Sequence, residues 1–280
     1  MAPPHVLVYD SGLGGLSVAR ALRELAGSHL HLSYLADTAG FPYGDWQEEA
    51  LRRRILDLMA RAIDAISPDV VVIACNTATV TALSHLRARF DMPFVGTVPA
   101  IKPAANATKS GIIGVLATPS TVRREYTEML IHTFAYHHRV VLHGARGLAR
   151  LAERHLSGET VEPAAIAAEI APAFVKNDDG RRTDVLVLGC THYPLIRKEI
   201  EKTAPWPVTI IDPSPAIARR ALEVAQVCGE NAGSGGSDGK LPAGPVAWVT
   251  DETGLSRLSR PLRRAGFAAL CCLSTPCHSR

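Results

Sequence analysis

Apolar residues recur along the chain in two rhythms. Short, nearly continuous apolar runs end in polar or small residues: HVLVYD (5–10), LHLSYLAD (30–37), DVVVIAC (69–75), MPFVG (92–96), GIIGVLA (111–117), VVLHG (140–144), DVLVLGC (184–190), VTIID (208–212) and PVAWVT (245–250). Runs of this length without strict alternation predict parallel strands buried on both faces. Between them, apolar positions three and four apart predict helices over 17–25, 121–135, 162–175, 215–226 and 253–264, and a polar helix containing Glu153. A long helix is predicted from Asp45, with Glu48 completing a capping box and Leu51, Ile55, Leu58, Ile63 and Ile66 forming its buried stripe. Another is expected after Cys75, through Phe90.

Two of the runs echo each other. DVVVIACNTAT (69–79) and DVLVLGCTHYP (184–194) both open with Asp, pass through four apolar residues, narrow to Ala74 or Gly189, and deliver a cysteine followed by a polar pair. Functional groups collect at the carboxyl ends of parallel strands, so Cys75 and Cys190 are expected at the tops of equivalent strands. The order strand, polar turn, helix, and later strand, cysteine, polar pair, helix, occurs twice, and a duplication is the economical explanation. Pro99 and Pro103 in TVPAIKPAANATKSG (97–111) mark a crossing to a second domain, and VTIID returns the chain. The predicted fold is α/β with two domains and mainly parallel sheets: 1–98 with 207–280, and 99–206. GENAGSGGSDGKLPAG (229–244) reads as a flexible linker and CCLSTPCHSR (271–280) as a loose tail.

Composition narrows the partners. A net charge of +3, with Lys and Arg scattered over helical faces, gives little reason to expect nucleic acid and would suit a small anion. No signal peptide is read at the start, and no apolar run approaches the roughly 20 residues of a membrane helix, so a cytoplasmic protein is expected. Six cysteines in 280 residues are too few for a disulfide scaffold, which leaves Cys75 and Cys190 as thiols; Cys271, Cys272 and Cys277 carry little information.

The strand-end residues supply the candidate chemistry. DSGLGGLS lacks the glycine at position 17 that a dinucleotide fingerprint requires, and Asp10 would repel a phosphate there. A tight turn with Asp10 capping the next helix is the plain reading, and a polar substrate touching Asp10 and Ser11 stays open. The amides around Tyr43 and Gly44 in FPYGD suit a carboxylate, or a simple turn. Asn76 and Thr77 are either helix caps or an anion site beside a thiol. His192 is the histidine beside a candidate reactive thiol. Cys190 and His192 have no further cysteine or histidine near them at ligand spacing, so no metal is expected.

Together DSGLGGLSV, FPYGD, VVIACNTAT, VGTVPAIKPA, IGVLATPSTVRREY and VLVLGCTHYPLI resemble glutamate racemase, of the aspartate/glutamate racemase superfamily, across most of the chain. The resemblance implies two pseudosymmetric α/β domains with the active site in the cleft between them. It implies that Cys75 and Cys190 are the acid/base pair, with Asp10 and His192 assisting and Glu153 near His192. Asp10, Ser11, Tyr43, Gly44, Asn76, Thr77, Thr191 and His192 would hold glutamate. No cofactor is implied. HGARGLARL lacks the Cys-Pro pair common upstream of that glutamate, and Pro213 stands where Ser is frequent. The activity fits the residues, because inverting an amino acid at Cα needs one group to take a proton from one face and another to return one on the opposite face. The product would supply peptidoglycan synthesis. A racemase for aspartate, a homodimeric assembly and an interaction with DNA gyrase, as attributed to some family members, are left open by the sequence.

Overall fold

The computed structural model describes residues 3–123, 125–231 and 244–273. The predicted runs form β1 (His5–Asp10), β2 (His31–Ala36), β3 (Val70–Ile73), β4 (Phe94–Gly96), β5 (Ile112–Ala117), β6 (Arg139–Gly144), β7 (Val185–Gly189), β8 (Thr209–Ile211) and β9 (Val246–Val249), and they are joined by β10 (Ala269–Cys272). The chain divides into two compact units, Met1–Gly96 with Ser214–Arg280, and Thr97–Pro213. The first holds a sheet in the order β10-β9-β2-β1-β3-β4, the second a sheet in the order β6-β5-β7-β8. Every pairing in both is parallel.

The second sheet repeats the inner part of the first. Reading β5, β6, β7 and β8 as the counterparts of β1, β2, β3 and β4 turns one strand order into the other, and it matches the strand that precedes Cys75 with the strand that precedes Cys190. In a parallel sheet each strand needs a crossover, and right-handed crossovers return every strand in the same direction. Every carboxyl end therefore lies at one edge of its sheet, which is where each unit gathers its polar strand-end residues.

Burial follows the apolar runs. On one face of the first sheet, Leu7, Tyr9, Val71 and Ile73 pack with Leu51, Ile55, Leu58 and Met59 of the helix Glu48–Ile66 and with Ala78, Ala82 and Leu86 of the helix Asn76–Arg89. In the second unit Ile113, Val115, Val185 and Val187 pack against Ile101, Ala104 and Leu130. Each fully buried branched side chain contributes about 1.5–3 kcal/mol relative to its exposed state, so these faces fix the strand register firmly.

Several local expectations differ from what forms. The long helix starts at Glu48 rather than Asp45, because Tyr43–Asp45 is spent on a 3₁₀ turn; Gln47 is its N-cap, without a side-chain capping bond, and Ile63 is only half-buried. Asp10 does not cap the first helix: its Oδ1 accepts from the Gly12 amide at 2.8 Å, closing the turn, and the helix Leu16–Ala26 begins after Gly15. The predicted helix over 121–135 is divided into Pro119–Val122 and Glu125–Phe134. Residues 97–111 contain a helix, Ile101–Ala107. Cys271 and Cys272 are not in a loose tail but in β10, paired with Trp248 and Val249 of β9. Most of the expected linker (232–243) and residues 274–280, with Cys277, lie outside the described residues. Among the described residues no helix is long and apolar enough to cross a membrane.

Candidate active site

In the first unit, Asp10, Asp37, Cys75 and Thr250 stand immediately at or beyond the carboxyl ends of the neighbouring strands β1, β2, β3 and β9. The ladder continues past the strands here: the Asp37 amide donates to the Asp10 carbonyl at 2.9 Å, and the Ala74 amide to the Tyr9 carbonyl at 2.8 Å. Asp10 is fully buried beneath the glycine turn. A Cβ on Gly15 would stand 3.1 Å from both the Asp10 Cβ and the Tyr34 ring, so the turn closes tightly over the carboxylate. The Tyr34 hydroxyl donates to the Gly12 carbonyl at 2.7 Å and holds the turn from the other side.

Cys75 is buried, at the N-cap of the helix Asn76–Arg89, with its Sγ 3.9 Å from Ser11 Oγ. The positive end of a helix favours an anion at this position. Asn76 is only 2 % exposed, and among the described residues neither its Oδ1 nor its Nδ2 has a hydrogen-bond partner. Its carboxamide is thus not the helix cap that the sequence allowed. A buried amide left without hydrogen bonds costs about 1–3 kcal/mol, a cost that a polar ligand would remove. Thr77 is buried beside it.

In the second unit Cys190 follows β7, held by a close backbone approach. A Cβ on Gly189 would come within 2.9 Å of the Leu116 carbonyl oxygen and 3.0 Å of the Ala117 Cβ, so only glycine lets β7 lie against β5 at this point. Past the thiol the chain turns into the 3₁₀ segment Tyr193–Ile196, with Pro194 in its first turn. His192 is buried, with Nδ1 3.9 Å from Cys190 Sγ and Nε2 3.2 Å from Glu153 Oε1. Glu153 is itself buried on the helix Leu148–Ser157. If the imidazole donates from Nε2 to the carboxylate, the Nδ1 lone pair faces the thiol and can exchange its proton. The Tyr193 phenol lies under this group, donating to the Ala117 carbonyl at 3.3 Å. Burial, then the neighbouring Cys190 and Glu169, push its pKa well above the ordinary value. It stays neutral, a fixed part of the floor. Thr191 is buried between Cys190 and His192.

The structure thus collects Asp10, Ser11, Cys75, Asn76 and Thr77 in one unit, and Glu153, Cys190, Thr191 and His192 in the other. It also adds a cluster that sequence reasoning missed. Asp37, fully buried, accepts Arg54 Nε at 2.6 Å and Nη2 at 2.5 Å, the Tyr43 hydroxyl at 2.5 Å and the Thr250 hydroxyl at 2.7 Å; Tyr43 in turn is hydrogen-bonded to the Tyr9 hydroxyl. Asp37 and the burial raise the pKa of both phenols well above the ordinary value, burial being the larger cause, and the bond to Asp37 raises that of Arg54. Tyr43 is therefore a buried side chain whose backbone, with Gly44, forms the turn. Two signals were present in the sequence: LHLSYLAD ends on an Asp as HVLVYD does, and Arg54 stands three residues after Leu51 on an otherwise apolar stripe.

Residues 16–221 match the family model for Asp/Glu/hydantoin racemases. A glutamate racemase of Agrobacterium fabrum is 55 % identical over 217 residues, 77 % of this chain and 79 % of its own length, and one of Brucella canis is 52 % identical over 216 residues, 77 % of each. Among solved structures, the Escherichia coli glutamate racemase in complex with L-glutamate and the activator UDP-MurNAc-Ala superposes with a TM-score of 0.86 at 37 % identity, covering 97 % of this chain and 98 % of that one. The chain belongs to the Asp/Glu/hydantoin racemase family. Its relatives group it with the glutamate racemases, and its enzyme class is that of an isomerase.

Proposed function

We propose that the protein interconverts L- and D-glutamate by two-thiol acid/base catalysis, without metal or organic cofactor, and supplies D-glutamate for peptidoglycan synthesis in the cytoplasm. The observation that carries this reading is the repetition of one device in both units: the equivalent strand of each sheet ends at a buried thiol, with polar groups arranged beside it. In this reading one thiolate removes the Cα proton while the other thiol delivers a proton to the far face, and the two sulfurs exchange protonation states. Asp10 would assist Cys75, and His192, oriented by Glu153, would assist Cys190. Asp10, Ser11, Asn76, Thr77, Thr191, His192 and the amides of the Tyr43–Gly44 turn would hold the amino acid; the first amides of such a turn have no acceptor within it and suit a carboxylate. The weakly acidic Cα–H demands that these donors be fixed before the proton moves. The complex of the E. coli neighbour with L-glutamate and UDP-MurNAc-Ala supports both the substrate and the link to the cell wall.

Circular dichroism of the purified protein tests the reading after exhaustive dialysis against a chelator. The signal of L-glutamate is expected to decay to zero, and that of L-aspartate to persist. Decay with aspartate alone would shift the assignment to an aspartate racemase, and activity that returns only with added metal would overturn the cofactor-free mechanism.

A further inference from the structure

Substrate-holding turns need a rigid support, and the Tyr43–Gly44 turn has one that reaches well beyond the site. Asp37 stands just past β2, fully buried, where a carboxylate costs free energy unless its oxygens are hydrogen-bonded. Both oxygens are taken by the Arg54 guanidinium in a fork, a geometry that a lysine could not reproduce. Oδ2 also receives the Tyr43 hydroxyl, and Oδ1 the Thr250 hydroxyl from beyond β9, which lies beside β2. Thr250 Oγ1 is in turn the acceptor for the Ala39 amide at 3.0 Å. The Trp46 indole donates to the Gly40 carbonyl at 2.8 Å, closing the far end of the same loop. A helix, two strands and the loop between them are thus tied to one carboxylate.

Gly40 offers an independent sign that this assembly is built to a fixed shape. A Cβ there would lie 2.5 Å from Asp37 Oδ2, 2.6 Å from Arg54 Nε and 2.8 Å from the Tyr43 ring, so the backbone of residue 40 is pressed directly onto the three groups. Glycine at this position has no positive φ to explain it, and the close approach is the reason for it. On the other side, Tyr9 and Tyr43 share a core with Cys75.

We infer that Arg54, acting through Asp37, is a positioning residue that clamps the Tyr43 phenol and thereby sets the Tyr43–Gly44 amides for the substrate carboxylate, a role that rests on the racemase reading above. The guanidinium touches no reacting atom. It fixes the direction of Asp37, Asp37 fixes the phenol, and the phenol fixes the two amides of the turn. Since the carboxylate is bound alike in ground and transition states, the clamp acts on KM more than on kcat.

The test is steady-state racemisation from each glutamate enantiomer by wild type, Arg54→Gln, Gly40→Ala, and the double variant Asp37→Asn with Arg54→Gln, assayed below each melting temperature. The double variant removes both charges together and so leaves neither one stranded in the interior. All three variants are expected to raise KM about tenfold, with kcat changed by less than about threefold, the pattern of lost uniform binding. Gly40→Ala should reproduce the effect without removing any hydrogen-bonding group. Variants that melt earlier but keep KM within about twofold of wild type would make the cluster a structural element only and overturn the inference. A fall in kcat at unchanged KM would overturn it as well. An inactive wild type would remove the reading on which it rests, whereas an active wild type with unaffected variants defeats the clamp alone.

Discussion

Cys75→Ser and Cys190→Ser are each expected to abolish glutamate racemisation in both directions, lowering kcat/KM by about 10²–10⁴-fold, the range of a lost general acid or base. A serine hydroxyl fills nearly the same space, but it is not ionised near neutral pH, whereas a thiol, with an ordinary pKa of about 8.5, can supply either form. Both directions must fall together, because enantiomers have equal free energy in water and the two values of kcat/KM are bound to one ratio. Partial reactions escape that bond. A glutamate analogue with chloride on Cβ needs only one base: the Cα–H is removed, its electron pair forms the Cα–Cβ double bond, chloride leaves, and the enamine hydrolyses to the keto acid and ammonium. On the proposed two-face assignment, Cys75 would take the proton of the D-isomer and Cys190 that of the L-isomer. Cys75→Ser should therefore release chloride from the L-analogue and hardly from the D-analogue, and Cys190→Ser the reverse. Equal loss of both eliminations in both variants would contradict this assignment and leave one catalytic thiol.

The second large effect is expected at His192 and Glu153. The imidazole stands between the Cys190 sulfur, 3.9 Å from Nδ1, and the Glu153 carboxylate, 3.2 Å from Nε2, with all three side chains buried. His192→Asn removes the imidazole proposed to pass a proton to and from Cys190, and about a 10²-fold fall in kcat/KM is expected. Glu153→Gln keeps the volume but loses the charge that orients the ring, and about a tenfold fall is expected, at the low end for a lost orienting partner. Both should depress chloride release from the L-analogue and spare release from the D-analogue, because Asp10 and Ser11 beside Cys75 are untouched. A uniform loss on both analogues would mean that the pair serves only to fold the second unit.

Much of this arrangement was legible in the sequence, for a physical reason. A strand buried on both faces must be apolar until it emerges, so the first polar residues after each run mark the sheet edge, and Asp10, Cys75 and Cys190 were found that way. The repeated strand order of the two units was foreshadowed by the paired cysteine motifs. What escaped depends on partners distant in the chain. Arg54 and Asp37 lie seventeen residues apart and Thr250 lies beyond both, so no local pattern joins them. The spacing of Asp45 and Glu48 mimics a capping box, yet the tight Tyr43–Asp45 turn uses the first of them before the helix begins. Tyr43 reads as an aromatic on a loop, and only the buried carboxylate explains why it turns inward. β10 was lost because a four-residue edge strand gains its stability from β9, not from its own sequence.

Racemisation of L-glutamate in D₂O shows whether two thiols act on opposite faces of one Cα. The acid that completes each turnover has exchanged with solvent, whereas the base that begins it holds the hydrogen removed from the substrate. Samples taken before a tenth of the L-isomer has been consumed are separated by enantiomer and weighed by mass spectrometry. D-glutamate is expected to carry deuterium at Cα from the first turnovers while the remaining L-glutamate keeps its hydrogen. D-glutamate that retains the original hydrogen, or L-glutamate that gains deuterium as fast as the D-isomer forms, would mean that a single base serves both faces and would contradict the two-thiol mechanism.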